Sequence, residues 1–347
     1  MTDVETLAAD PRWLPEAYDA ARGVVRFARI DRARLSCEPF LDRRMEDSVT
    51  ARAEASLDVV ARALERTAPP PVPAFIFHTA FCCSTLLARA LDAPGACLSL
   101  KEPNILLDLA NAQRVDERLR RDPAAFARLF QIVTRLLARL HAAGERVLIK
   151  PTNTASTLAQ AALAAKSPCL FLYGDLDEFL ISILKKGEEG RVFARQLYNI
   201  FALDGVGLAA IPPRQAMGFT DLQVAAVVWR HQIEQFARLL SSPPSGARLA
   251  SLDFRRLLAN PGTTLKAAAR ALDLPIADEI LEATAAGEIF ARNAKFADQT
   301  YDAAKREAEE KALRERWRAE LDLIARWAGR LHLGTDARLP LPRALAA

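Results

Sequence analysis

Residues 74–77 read Ala-Phe-Ile-Phe, four apolar residues directly after the run Ala-Pro-Pro-Pro-Val-Pro at 68–73. Three consecutive prolines cannot continue a helix and feed the chain into an extended segment. An unbroken apolar run after such an entry predicts a strand buried on both faces, as in the middle of a parallel sheet. Residues 78–85 then turn small and hydroxyl-bearing, and Ser84 begins a helix whose apolar face is Leu86, Leu87, Ala90 and Leu91. A turn from buried strand to helix aims backbone N–H groups and the helix dipole at one point, where an anion can be held. The first strand is therefore read as feeding a phosphate-binding loop at residues 77–85, with hydroxyls from Thr79, Ser84 and Thr85. An ordinary turn with capping residues is the simpler account of the loop taken alone. The loop has no lysine and no glycine. The Walker pattern is thus absent, which disfavours an ordinary ATPase or GTPase. GxGxxG is absent too, which argues against a Rossmann dehydrogenase.

Further short strands are read at 96–100, 146–149, 169–173 and 248–252, separated by helical patterns. These helices are expected at 105–141 as one long stretch, and at 155–165, 176–186 and 220–241. Another is opened by Asn260-Pro261, a cap followed by proline at the first turn. Strands alternating with helices predict parallel β-α units. Residues 1–66 read as helical and polar, including an amphipathic helix over 48–67 with Leu57, Val60, Ala61 and Leu64 on one face. A charged helix is expected from 301 to 331. The fold class is α/β, a parallel sheet flanked by helices, with helical N- and C-terminal extensions.

The 47 basic and 43 acidic residues give a net charge of +4, too mild to argue for nucleic acid, so any basic site must be local. No apolar run approaches the roughly 18–20 residues of a membrane helix. The polar, acidic start Met-Thr-Asp-Val-Glu is no secretory signal. Cys37, Cys82, Cys83, Cys97 and Cys169 form neither a disulfide framework nor a zinc pattern. A cytoplasmic protein with free thiols and no metal is expected.

The segment at 75–91, FIFHTAFCCSTLLARAL, resembles the 5′-phosphosulfate loop of the sulfotransferase family, commonly xxxTxRSGTTLLxxxL. Thr79, Ser84, Thr85, Leu86 and Leu87 fall on its matching positions. Lys101-Glu102-Pro103 resembles the family's short acidic motif after the second strand, and VLIKPTN at 147–153 its Lys-Thr-Pro strand end. Residues 169–185 resemble the segment RDPxDVxxSxxK, which holds the donor's 3′-phosphate, and residues 248–275 resemble a later family segment. These matches span about 200 residues in the family's order. The chain departs from the pattern at four places. Phe81 and Cys83 stand at the loop's arginine and glycine, Gly174 at the arginine for the 3′-phosphate, and Leu176 at the proline, while Ser182 keeps the serine.

The resemblance implies a sulfotransferase-like α/β core at 71–300, with a helical N-terminal extension at 1–70 packed on it and a C-terminal helical segment at 301–347. It implies sulfuryl transfer from PAPS (3′-phosphoadenosine 5′-phosphosulfate) to a hydroxyl or amine of an unknown small molecule. Residues Thr79, Ala80, Phe81, Cys82, Cys83, Ser84 and Thr85 would cradle the phosphosulfate. Ser182, Arg292 and Lys295 would hold the nucleotide, with Arg191 and Arg195 as substitutes for the missing arginine. Glu102 is the candidate general base and Lys150 the cation on the transferred group, both at strand ends, where open α/β sheets place their sites. Lys101 is a lesser catalytic candidate, pointing away from Glu102 if the strand continues. Each of these polar residues is also explained as an ordinary surface group. His78 precedes the loop and His231 lies on the helix at 220–241; neither is assigned a role. A thiol nucleophile at Cys82 or Cys83 would need His78 as partner, and loop packing explains both cysteines better. Two rivals stay open: a kinase-like transferase with a divergent loop, and a degenerate homologue acting as a nucleotide-binding or scaffold protein. Residues 1–66 and 191–220 are expected to shape the acceptor pocket. The oligomeric state is open.

Overall fold

A three-stranded antiparallel sheet opens the chain where the sequence predicts helices: β1 (Trp13–Asp19), β2 (Val24–Arg29) and β3 (Ala51–Ser56), in the order β1-β2-β3. The computed structural model describes residues 2–205, 207–244, 246–290, 303–331 and 338–345. Helices are present in this part as well, at Val4–Ala9, Arg32–Cys37 and Leu57–Glu65. The correction at 48–67 has a simple cause. Ala51-Arg52-Ala53-Glu54-Ala55-Ser56 has high helix propensity, but it also alternates small with polar, and its burial alternates residue by residue. Pairing with β2 over the full register selects period two, since strand preference follows the neighbours a residue packs against. The amphipathic helix begins only at Leu57, burying Val60, Ala61, Ala63 and Leu64.

The second sheet has five parallel strands: β4 (Ala74–His78), β5 (Cys97–Lys101), β6 (Arg146–Lys150), β7 (Cys169–Tyr173) and β8 (Leu249–Asp253). Their order is β5-β6-β4-β7-β8, so β4 lies at the centre. Every residue of β4, β5 and β7 is buried, which is why these strands read as apolar runs without alternation. Alternate side chains still go to opposite faces. Phe75, Phe77, Phe171 and Tyr173 join one core; Ala74, Ile76, Leu170 and Leu172 join the other. The first core is continuous with Leu14, Val25 and Phe27 of the N-terminal sheet.

The strand positions match the sequence reading to within a residue or so, and the helix expected over 220–241 is Asp221–Ser241, opened by a capping box of Thr220 and Gln223. The single helix expected over 105–141 is instead three: Asn104–Val115, Glu117–Arg121 and Pro123–Leu137. Asp116 and Asp122 end one helix and cap the next, each accepting two backbone N–H groups. The charged tail is also divided, into Ala303–Arg316 and Arg318–Ala328.

From β4 the chain crosses to β5 on one side of the sheet; from β7 it passes to β8 on the other. Neighbouring strands whose connections leave in opposite directions create a crevice at their carboxyl ends, the usual ligand position in open α/β sheets. The loop after β4 and the Gly174 region after β7 border that point.

Candidate functional site

The loop after β4 is built on unusual backbone. Phe81 (φ 62°) and Cys83 (φ 57°) are both left-handed, a conformation that costs a non-glycine residue roughly 1–2 kcal/mol. Thr79 N–H bonds to Leu172 O of β7 at 3.0 Å, and Leu87 N–H makes the first helical bond, to Cys83 O at 3.1 Å. Between them the N–H groups of Ala80, Phe81, Cys82, Ser84 and Thr85 make no backbone hydrogen bond among the described residues. Left-handed residues within a turn are what backbone anion cradles are made from. Ser84 and Thr85 are buried at the start of the Ser84–Ala90 helix, and the Thr79 hydroxyl has no hydrogen-bond partner among the described residues. The Phe81 ring packs against Phe179 and Phe193, each 5.6 Å away between centroids.

Cys82 is buried and donates its thiol to Thr79 O at 2.9 Å. Burial pushes that thiol up to about 12, so it stays protonated near neutral pH and supports packing rather than nucleophilic chemistry. His78 is buried, with Nδ1 2.8 Å from Thr79 O and Nε2 3.0 Å from Pro151 O. Burial first, and then the Lys150 charge, lower its pKa to about 4. A neutral ring donates to only one of those carbonyls. His78 therefore braces the end of β4 against the end of β6.

Glu102 and Lys150 meet directly. β5 and β6 run in register with Lys101 opposite Lys150, and Glu102 N–H bonds to Lys150 O at 2.6 Å. Glu102 itself is left-handed (φ 54°), which ends β5 and turns its carboxylate to accept from Lys150 Nζ. Lys150 is fully buried and Glu102 is 19% exposed. Residues from the N-terminal part complete this corner. The Phe40 ring lies 5.9 Å from Lys150 Nζ, and the Arg44 guanidinium stacks on Phe40 at 3.8 Å, within electrostatic reach of Glu102. Neither Phe40 nor Arg44 carries a sequence signal, because both come from a connecting segment with no motif.

Lys101 lies elsewhere. It is buried, and its ammonium donates to Leu35 O at 3.0 Å and Ser36 O at 2.9 Å, capping the Arg32–Cys37 helix. Burial lowers its pKa from 10.5 to about 8. Between those values the unfolded chain holds more protons than the folded one, so this group makes stability rise with pH from about 8 to 10.5. A Lys101→Met variant should flatten that rise in urea unfolding measured across the same window. Parallel pH curves for the two proteins would refute the assignment.

Gly174 is set by packing. A Cβ there would meet Phe254 Cε1 at 2.8 Å, so no side chain fits without displacing that ring. Trp229 Nε1 donates to Gly174 O at 3.0 Å. The surroundings are acidic: Asp175, Glu178 and Asp253, with Arg255 reaching Asp175 at 2.7 Å and Asp253 at 2.6 Å. Burial, and then the Asp175 charge, raise the Glu178 carboxyl to about 7. Arg255 and Glu178 were not singled out in the sequence, although they lie within the segments 248–275 and 169–185 that carry the resemblance. Ser182 is half-buried on the Leu176–Lys185 helix. Arg191 and Arg195 both pair with Asp221, at 3.6 and 2.7 Å. Arg292 and Lys295 lie outside the described residues.

No family model matches this chain, and no curated protein matches it. Among solved structures, a sulfotransferase domain from the curacin biosynthetic pathway matches at 14% identity and a TM-score of 0.42, over 78% of this chain and 95% of that one. Among the described residues no helix is long and apolar enough to cross a membrane, and no group of three or more His, Cys, Asp or Glu is placed to hold a metal ion.

Proposed function

We propose that this chain is a sulfuryl transferase that takes its group from PAPS and passes it to a hydroxyl or amine. The observation carrying this reading is one edge of one sheet: a loop rich in unengaged N–H groups at the end of β4 and, joined to it through His78 and Pro151, a carboxylate–ammonium pair at the ends of β5 and β6. The residues present fit the phosphosulfate end of such a donor. Ala80–Thr85 N–H groups and the Thr79, Ser84 and Thr85 hydroxyls can surround its oxygens, and Lys150 supplies the single positive charge that the loop itself lacks. The donor supplies the sulfuryl group. Glu102 accepts the proton of the acceptor as the new O–S or N–S bond forms and the S–O bond to the 5′-phosphate breaks, leaving 3′,5′-adenosine bisphosphate. No metal is needed for this balance.

A second reading is favoured by one specific observation. The neighbourhood of Gly174, where the resemblance implies a cation for the 3′-phosphate, carries three carboxylates, and Arg255 is already shared between two of them. A degenerate homologue that has lost the donor follows from this. Thermal unfolding with 3′,5′-adenosine bisphosphate decides between them, with 5′-AMP and ATP·Mg²⁺ as controls. Ligand at 100 times Kd adds about 2.7 kcal/mol, which for a chain of this size raises Tm by roughly 2 °C or more. A shift with the bisphosphate and none with 5′-AMP is expected. No shift with the bisphosphate, or a shift with ATP·Mg²⁺ alone, would overturn the PAPS reading.

A further inference from the structure

Outside the donor loop seven side chains hold buried polar atoms with no hydrogen-bond partner among the described residues; Ser99, Arg135, Glu145 and Glu178 are four of them, and the other three come from two elements that touch each other. These three are Asn153 (Nδ2), His231 (Nε2) and Gln232 (both amide atoms), exposed by 7%, 2% and 0%. Buried polar atoms are nearly always paired, so four such atoms in one place need an explanation.

Contacts between their elements bring them to one seam. Asn153 opens the turn Asn153–Leu158 that follows Lys150-Pro151-Thr152. Within that turn Ser156 donates to Gln235 Oε1 at 3.0 Å, tying it to the Asp221–Ser241 helix, on which His231 and Gln232 lie one turn earlier. Trp229 and Phe236 of the same helix sit over Gly174 O and the Phe171 ring of β7, the latter at 4.6 Å, which sets Gln232 beside the carboxyl end of β7. Thr79, whose hydroxyl is also unpartnered, is held to β7 by its bond to Leu172 O. The unpartnered groups thus border the same sheet edge as Glu102 and Lys150.

Charge in the seam is already balanced. Arg114 is paired with Asp204 at 2.6 Å and donates to Thr154 O at 2.7 Å. Asp204 lies 4.0 Å from His231 Nε2. Burial first, then Arg238 and Arg114, hold His231 neutral down to about 4. What remains unused is neutral: amide donors, an amide acceptor and an imidazole nitrogen. Among the described residues of the seam, Arg114 and Arg230 are each paired with a carboxylate, and Arg238, whose charge reaches His231, lies on the exposed side of the helix. Hydroxyl groups, which donate and accept together, match this set.

We propose that Asn153, His231 and Gln232 form the acceptor-binding site, and that it takes an uncharged small molecule carrying several hydroxyl groups. The proposal rests on the sulfuryl-transfer reading for the word acceptor, but not for the binding itself. With the three residues this buried, binding requires the Asp221–Ser241 helix to part from the Asn153–Leu158 turn, which Ser156 and Gln235 join. Stability is given up for binding in such a site: apolar replacements of an unpaired polar group remove its desolvation penalty.

The test uses the full chain and three probes with one ring and different charge: methyl α-D-glucopyranoside, D-glucuronate and D-glucosamine, followed by saturation-transfer NMR. Binding of the neutral glycoside alone is expected. Gln232→Leu and Asn153→Leu should abolish its signal while Tm stays level or rises. Any of three results overturns the proposal: no signal from the glycoside with the unaltered protein, equal signals from a charged probe, or signals that survive both substitutions. A fall in Tm in both variants would also overturn it, by showing that the groups hold the fold together. The thermal shift with 3′,5′-adenosine bisphosphate is measured on the same three proteins. A retained shift in the variants places the loss at the acceptor site. Glycoside binding without any bisphosphate shift in the unaltered protein would sink the donor reading and leave this one standing.

Discussion

Replacing Glu102 by glutamine should lower turnover by about 10²–10⁴-fold, the usual worth of a positioned general base. The side chain keeps its length, and its amide oxygen can still accept from Lys150 Nζ, so the corner of the sheet should stay folded. Donor-product binding should survive too, because the substitution lies after β5 and leaves the residues of the loop after β4 unchanged. The expected result is therefore a split: kcat collapses while the thermal shift with 3′,5′-adenosine bisphosphate is kept. The measurement is single-turnover transfer from PAPS to an accepted substrate, beside the shift assay. Turnover within a factor of two or so of the unaltered enzyme would remove Glu102 from the mechanism.

The same pair makes an unequal prediction for stability. Lys150 is wholly buried, whereas Glu102 is 19% exposed and reaches water. Removing one partner of a buried ion pair leaves the other charge uncompensated, at roughly 3–5 kcal/mol when that charge is deeply buried. Glu102→Leu strands the buried ammonium and should fall in that range. Lys150→Met removes the buried charge, keeps most of the volume and leaves a carboxylate that water can solvate, so it should cost less than half as much. Urea unfolding of both variants reads the difference. If Lys150→Met is the more destabilised of the two, the ammonium is held mainly by groups other than Glu102.

Much of the α/β part was legible because both of its signals are local. A strand buried on both faces in a parallel sheet reads as a run of apolar residues, so 74–77, 147–149 and 169–173 announce themselves without any partner being known. The helix starts carry their caps in the sequence, as Thr220 and Gln223 do. The candidates Glu102 and Lys150 were picked out for a related reason: strand ends at a sheet's carboxyl edge are where a site can be, and polar residues there are few. Residues 48–67 were misread because Ala, Arg and Glu favour helix when alone, and only β2, more than twenty residues away, offers the ladder that makes a strand of 51–56. The breaks at Asp116 and Asp122 were missed for a milder reason, since a capping aspartate looks like any exposed acidic residue inside a helix.

The sequence by itself determined the order of strands and helices in the α/β part, the buried central strand, the loop that follows it and the two charged strand ends. Those follow from composition over five to twenty residues, where hydrophobic period and capping chemistry act. Only the tertiary structure decided what each polar residue touches. It joined Glu102 to Lys150 through the β5–β6 register and gave Lys101, one residue away, to the carbonyls of a distant helix. It also laid Phe40 and Arg44 over the Glu102–Lys150 corner, set the Phe254 ring where a side chain at position 174 would begin and placed unpartnered amide atoms beside β7. Such pairings depend on strand register and on which faces meet, and neighbours far apart in the chain leave no local trace of either.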